Sequence, residues 1–247
     1  MKKYLFIVLA AGIGLSAHAQ VSFQKIIKIG VKAGITGSVF TKDVAPFDPH
    51  IPGYYDTFEN FARLSGFGGI TFDYEVTQRL SVGAELLYTA RGMAYREENN
   101  DVIIYNENGE EQAYNYFNFA IDYMELPVTL NYNVLPLQSN TWLKVYAGFA
   151  RGAAVRKKTR LSYPDVDDDY YERPDAVKQE LKYVKTYISS VIGGLKVGGR
   201  KTKGISPFGD LRGSYTLDPV FNRSKAANGG NLDTRMFTLS LGLGVQF

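Results

Sequence analysis

Cysteine is absent from all 247 residues. That excludes disulfides, thiolate metal centres, thiol nucleophiles and a lipid-modified N-terminal cysteine. Histidine is nearly absent, with only His18 and His50, although most hydrolytic and metal chemistry draws on histidine or cysteine. No cofactor and no metal site is expected from so thin an inventory. Beyond the first twenty residues there is no run of about 18 apolar residues, the length a membrane-crossing helix needs. An excess of charge is lacking as well. Once Lys2 and Lys3 are set aside with the N-terminal segment, 26 basic residues stand against 25 acidic ones. A nucleic-acid binder needs a concentrated basic surface, so no nucleic-acid partner is expected.

The N-terminal segment itself has the three parts of a secretory signal. Lys2 and Lys3 make a positive start, Leu5 to Leu15 is apolar, and Ala17-His18-Ala19 is a small-x-small cleavage site. The apolar part is too short to span a bilayer. The expected division is a signal peptide over 1–19 and one mature domain over 20–247.

What remains is rich in strand-forming and turn-forming residues: 25 Gly, 18 Tyr and 15 Phe, with many β-branched side chains. The informative pattern is alternation with period two, which puts successive side chains on opposite faces of a sheet. Ile29, Val31, Ala33 and Ile35 alternate with small or polar residues, as do Ile70, Phe72, Tyr74 and Val76. Leu80 to Ala90 follows, with Leu87 out of phase. Then come Met124 to Tyr132 and Leu143 to Phe149, a weaker segment at Val191, Leu195 and Val197, then Leu211 to Leu217 and Phe237 to Phe247. The long connections fall near 40–64, 93–117, 157–183 and 218–233, and the short ones near 77–79, 134–141 and 198–204. Eight such segments with alternating connection lengths predict an all-β fold. It is an eight-stranded antiparallel up-and-down transmembrane β-barrel, with short periplasmic turns and long external loops. The location this implies is the outer membrane.

A lipocalin-like periplasmic carrier would also alternate, with its apolar face inside. Three features favour a lipid-facing apolar surface instead. The polar face is rich in Gly, Ser and Thr; the chain ends in Phe247 in phase with the apolar face; and Tyr74, Tyr132 and Trp142 sit near strand ends, where an interfacial girdle belongs.

Several stretches resemble the PorT-like outer-membrane β-barrel family of the Bacteroidota: GVKAGIT from Gly30, the block from Gly66 to Gly92 containing GAELLYTARG, DYMELPVTLNY from Asp122, VYAGFARGAAV from Val145, and the terminal LSLGLGVQF. The resemblance spans nearly the whole mature chain outside the long loops. It implies an eight-stranded barrel whose final strand, ending at Phe247, is the signal read by the barrel assembly machinery. It implies no catalytic residue.

On the polar face, Lys32, Arg91, Lys144, Lys196 and Arg212 match Asp73, Glu75, Glu85, Glu125 and Asp210 in number. An eight-stranded barrel has room inside for side chains but not for a water channel, and buried ions must pair. The expectation is a structural ion-pair network that closes the lumen. Asp122 and Arg151 fall on the apolar face, which places them at the outer rim or next to a bulge, for which Gly148 and Gly152 are candidates.

Arg156, Lys157, Lys158 and Arg160 leave the outer end of the fifth strand, and they suit lipopolysaccharide phosphates as well as they suit a solvated strand end. Asp165, Asp167, Asp168, Asp169, Glu172 and Asp175 form an acidic loop. Tyr170 stands where a calcium loop of the EF-hand type requires glycine. His50, between Pro49 and Pro52, is what a small-barrel enzyme modifying lipid A or phospholipid would need, but no distinctive serine motif accompanies it. Tyr54, Tyr55, Tyr105, Tyr114, Tyr116, Tyr170 and Tyr171 are candidate contact anchors for a protein partner at the external loops. The reading reached from the sequence is a non-enzymatic structural or interaction barrel.

Overall fold

The alternating segments resolve into antiparallel strands β1 (Ile27–Phe40), β2 (Glu59–Glu75), β3 (Leu80–Asn106), β4 (Gly109–Asn133) and β5 (Thr141–Ser162). These are followed by β6 (Val177–Glu180), β7 (Tyr187–Gly199), β8 (Ser206–Thr216) and β9 (Met236–Gln246). The computed structural model describes residues 27–42, 59–106, 109–136, 139–164, 175–181, 183–199, 204–222 and 233–247. The signal segment, His50 and the acidic loop apart from Asp175 lie outside these residues.

Eight strands close a ring in the order β1-β2-β3-β4-β5-β7-β8-β9, and the seam is β9 against β1, from Gly30↔Gln246 to Phe40↔Met236. Every pairing is antiparallel. The short β6 lies outside the ring and pairs with the upper end of β5, Lys158↔Glu180 to Leu161↔Val177.

The β2–β3 turn is tight. Val76 N and Thr77 N both donate to Leu80 O, and Thr77 Oγ1 accepts from Arg79 N and Leu80 N. That turn, the β4–β5 turn, the start of β1 and the end of β9 lie at one end, the periplasmic end in barrels of this class.

Around the lower part of the ring the apolar face points outward. Ile35, Leu126, Phe149 and Leu243 are 55–75% exposed, while Lys32, Thr36, Glu85, Asn131 and Asp210 on the other face are buried. This is the inverse of a carrier, whose apolar face would line the interior.

The strands differ greatly in length. β3 and β4 have 27 and 25 residues, against 11 each for β8 and β9. The expected long loop over 93–117 is therefore mainly sheet: β3 and β4 continue as a hairpin whose last pair is Asn106↔Gly109. Residues 59–64 and 157–162, also expected as loop, belong to β2 and β5. The reason is a reversal of phase. On β4 the apolar residues from 124 to 132 are even-numbered and exposed, whereas Phe117, Phe119, Ile121 and Tyr123 are odd-numbered and buried. The strand runs on, but its greasy side has moved from outside to inside.

Gly92 marks the same level on β3. Its φ is +146°, and a Cβ there would stand 1.7 Å from Phe119 O, so a side chain would break the β3–β4 approach. Here β2 also slips against β3, between Ala62↔Met93 and Phe67↔Thr89. The result is a wall that outgrows the ring on one side and encloses an apolar interior of its own. Phe40, Met93, Tyr95, Phe117, Phe119, Ile121, Leu161, Ile188 and Phe221 belong to that interior.

Candidate functional site

Inside the ring the charges meet in tiers. At the periplasmic mouth Lys28 pairs with Glu75, both partly exposed. Glu75 thus sits at the rim with a partner the sequence reading did not include, rather than in the inner network. One tier up, Lys144 Nζ lies 2.5 Å from Asp73 Oδ2 and donates to Ser81 Oγ at 3.0 Å. Asn131 donates to the other Asp73 oxygen at 3.3 Å.

The middle tier is built around Glu85. Its Oε2 meets Arg212 Nη2 at 2.6 Å and Lys32 Nζ at 3.0 Å, and its Oε1 meets Lys196 Nζ at 2.9 Å. Lys32 also reaches Asp210 Oδ2 at 2.5 Å. Tyr146 joins the two acids' partners: its hydroxyl donates to Asp210 Oδ1 at 2.6 Å and accepts from Arg212 Nε at 3.0 Å. Lys196 and Arg212 also face its ring, 5.1 and 5.5 Å from the centroid. Three cations thus share two carboxylates and one phenol, all drawn from β1, β3, β5, β7 and β8. The tyrosine was missed from sequence because it reads as one more aromatic at an inward position. The signal was its parity, which is that of Lys144.

Above this, Arg91 Nη2 binds Glu125 Oε2 at 2.8 Å, and Thr89 Oγ1 donates to the same oxygen at 3.0 Å. Arg91 Nε and Nη1, Glu125 Oε1, Tyr123 OH, Ser190 Oγ, Ser214 Oγ and Thr238 Oγ1 are buried without a hydrogen-bond partner. Buried polar groups normally find one, so this tier is under-satisfied. Leu87, the residue out of phase on β3, is buried on the inner face, 2% exposed.

The aromatic interior then caps the tiers. Phe119 packs edge-on against Tyr95 and Phe40, with centroids 5.4 and 6.4 Å apart, and Phe40 does the same with Phe221 at 6.0 Å. This second closure went unseen in the sequence, although the phase reversal in FNFAIDYMELP was there to be read.

Outside, Asp122 and Arg151 do project from the outer face, and β5 does bulge, though not at Gly148 or Gly152. Asp122 faces Arg156 and Tyr123 faces Ala154, which leaves Val155 unpaired. A bulge inserts one residue and so shifts parity. Arg156, Lys158 and Arg160 therefore turn outward and are exposed, while Lys157 turns the other way and donates to Val184 O at 3.4 Å. The basic group read from sequence is split between two faces.

Asp122 is 1% exposed although it stands on the outer face. Tyr88 OH donates to its Oδ2 at 2.5 Å, Arg156 Nη1 lies 3.5 Å from Oδ2, and Arg63 Nη1 lies 3.9 Å from Oδ1. Arg151 donates to Ser189 Oγ at 2.5 Å, with Asp218 3.8 Å away and the Tyr187 ring at 5.7 Å. Of the candidate loop tyrosines, Tyr114 packs on Arg96 with the guanidinium 4.5 Å from the ring centroid, and Tyr116 is exposed on the outer face of β4. Tyr54, Tyr55, Tyr170 and Tyr171 lie outside the described residues.

No curated protein matches the chain. Among solved structures it is similar to the outer membrane protease OmpT from Escherichia coli, at 10% identity over 93% of this chain and 99% of that one, with a TM-score of 0.45. OprG from Pseudomonas aeruginosa is similar at 10% identity over 91% and 97%, with a TM-score of 0.42. Neisserial surface protein A is similar at 10% over 90% and 98%, also at 0.42. A family model described as the outer membrane protein beta-barrel domain matches residues 18–222. Together with a closed ring of eight antiparallel strands that is apolar outside and charged inside, this places the protein: it is an outer-membrane β-barrel and belongs to the outer membrane protein beta-barrel domain family.

Proposed function

We propose that this protein is a non-enzymatic outer-membrane anchor whose lumen is closed and whose tall β3–β4–β5 wall presents an interaction surface outside the membrane. The observation that carries the reading is the double closure, an ion-pair hub at Glu85 beneath an aromatic interior around Phe119. A conducting path would need mobile water between facing side chains. Here the hub cations and anions are held by one another at 2.5–3.0 Å. Separating them means leaving a buried ion without its partner, which costs several kcal/mol.

The PorT-like stretches of sequence support placing the chain in that branch of the Bacteroidota barrels. Phe247 N donates to Ile29 O at the closing seam, which suits a final strand that the assembly machinery reads. Lipopolysaccharide phosphates would meet the basic group at its outward members Arg156, Lys158 and Arg160, whose exposure supports this reading. A protein partner would dock on the external wall.

Planar-bilayer recording of the purified full chain tests the central claim. The expected result is no stable unitary conductance at neutral pH, whereas a steady open channel in the wild type would overturn it.

A further inference from the structure

Two backbone irregularities lie close together at the external end of β5. The ladder between β5 and β7 runs from Thr141↔Gly199 at the periplasmic end to Ala153↔Tyr187. Beyond it β5 changes partner and pairs with β6, from Lys158 to Leu161. The first irregularity is the Val155 bulge, in the gap between the two partners. Bulges recur beside functional sites, where they re-aim a side chain. This one turns Lys157 away from the outward row, and its Nζ donates to Val184 O at 3.4 Å. The second is Tyr183, whose φ is +64°. A bulky side chain seldom enters the left-handed region, and residues held there concentrate at active sites and ligand clamps.

Backbone bonds on either side hold the strained residue in place. Asn222 N donates to Tyr183 O at 2.7 Å, Lys185 N to Val220 O at 2.9 Å and Leu181 N to Lys157 O at 3.0 Å. Val184 bridges Phe221 and is buried with Leu181 in the aromatic interior. The fork between β6 and β7 thus lines a cleft of about 710 Å³, within the ~300–1,000 Å³ usual for small-ligand sites. Its floor is apolar, Leu181 and Val184. Its rim carries Tyr183 and Tyr187, 37% and 58% exposed, with Glu180, Lys185, Thr186 and Asn222. Glu180 and Thr186 are exposed as well, so a ligand reaches this rim directly from the water outside.

The rim chemistry selects among ligands. A compact anion meets the Glu180 carboxylate there, and Lys157 is already given to a backbone carbonyl. A purely apolar molecule strips water from Glu180, Lys185, Thr186 and Asn222 and returns no hydrogen bond. A saccharide satisfies both halves. Its hydroxyls donate to Glu180 and accept from Lys185, while Thr186 and Asn222 can do either. Its C–H face lies on a tyrosine ring whose polar tip stays in water. We propose that the β5–β6–β7 fork is a binding site for a neutral saccharide unit of a surface glycan, with Tyr183 and Tyr187 as its stacking platforms. The site does not use the outward row Arg156, Lys158 and Arg160, and it needs no phosphate.

The test is saturation-transfer difference NMR on the full chain, in a detergent without a sugar headgroup. The probes are hexose, N-acetylhexosamine and deoxyhexose oligosaccharides at millimolar concentration. Core oligosaccharide released from lipopolysaccharide and a lactose-type oligosaccharide are included to separate a bacterial source from a eukaryotic one. Transfer to the ring C–H protons of at least one sugar is expected. Tyr187→Ala and Tyr183→Gly should each weaken binding about tenfold. Tyr183→Gly is the more telling variant, because glycine takes a positive φ freely. Its heat-dependent gel shift should persist and its urea midpoint should be no lower than that of the wild type. Tyr116→Ala, on the outer face of β4, should leave binding unchanged.

Absence of transfer to every sugar would overturn the proposal. So would displacement of a bound sugar by an equal concentration of inorganic phosphate, which would make the fork an anion site. Unaltered binding in the folded Tyr183→Gly and Tyr187→Ala variants would remove the site from this fork. A Tyr183→Gly barrel less stable than the wild type would overturn the argument from strain. Stronger transfer to either the core oligosaccharide or the lactose-type sugar supports the site and names its source. None of these outcomes bears on the closed lumen, which the conductance measurement decides.

Discussion

Below Tyr123 the inward side chains of β4 are Glu125, Pro127, Thr129 and Asn131; above it they are Ile121, Phe119 and Phe117. The outward side chains trade places in the same way, from Leu126 and Met124 below to Asn118 above. One continuous strand thus obeys two opposite rules. In the lower region the solvent outside is hydrocarbon, so apolar groups gain nothing by turning inward, and the interior is left to groups that satisfy one another by charge and hydrogen bond. In the upper region the solvent outside is water. There the ordinary hydrophobic effect returns and drives the aromatics in. The difference teaches that what fills this barrel is decided by what surrounds it.

The sharpest way to break the comparison is to exchange the rules. Phe119→Glu places a carboxylate among Phe40, Tyr95 and Phe221. Losing a buried phenylalanine costs about 3–5 kcal/mol, and the unpaired buried charge adds several more. The expected outcome is local. The external wall becomes susceptible to limited proteolysis, while the lower ring keeps its heat-dependent gel shift. Loss of both would mean that the two interiors fold as one unit.

The converse change removes a charge from the lower interior. Glu85→Ala leaves Lys32, Lys196 and Arg212 with Asp210 as their one remaining carboxylate, and breaking a buried pair costs about 3–5 kcal/mol. The urea midpoint of the barrel in lipid vesicles should fall accordingly. Adding Lys196→Met should recover part of that loss, since it removes one of the stranded cations, with a coupling of about 0.5–3 kcal/mol between contacting sites. A Glu85→Ala barrel as stable as the wild type would show the hub to be incidental.

The lower region was legible from sequence because lipid imposes a strict alternation: every even residue from Met124 to Tyr132 is apolar, and the charges follow on the odd positions of β3 and β4. Even the five-to-five charge match pointed to a paired interior. What it left out was which charges pair, since that depends on the stagger of the strands. Glu75 reaches Lys28 and not the hub, and Tyr146 completes the hub although nothing in its neighbourhood of sequence marks it. The upper region was misread as loop for a physical reason. With water outside and grease inside, its alternation runs in the opposite phase, and a polar outer face with charges such as Arg96, Lys158 and Arg160 looks like solvated loop when the lower phase is taken as the standard. The Val155 bulge compounded this by flipping parity within the RGAAVRKKTR stretch, so that Arg156, Lys157, Lys158 and Arg160 were assigned to a single surface.

A third test moves to the outer face. Leu126→Arg puts a guanidinium into the apolar row near the middle of the β4 span, where the cost is about 2–4 kcal/mol for Arg in a barrel's lipid face. Urea unfolding in vesicles should show it. In a detergent micelle the same variant should lose less, because the head can reach water more easily.

The smallest effect is expected at Asn118→Glu, and it fixes where the rules change. Asn118 is on the same strand and the same outward row as Leu126, eight residues further out, and it is exposed opposite Arg160. If water bathes that level, a carboxylate there stays solvated and gains a cross-strand partner, for which pairs of opposite charge contribute roughly 0.2–1 kcal/mol. The net change should stay within about 0.5 kcal/mol, the range of ordinary surface substitutions. A loss approaching that of Leu126→Arg would move the edge of the bilayer beyond Asn118. The aromatic interior would then lie at membrane depth, and the charge-paired and hydrophobic tiers could no longer be explained by two different solvents.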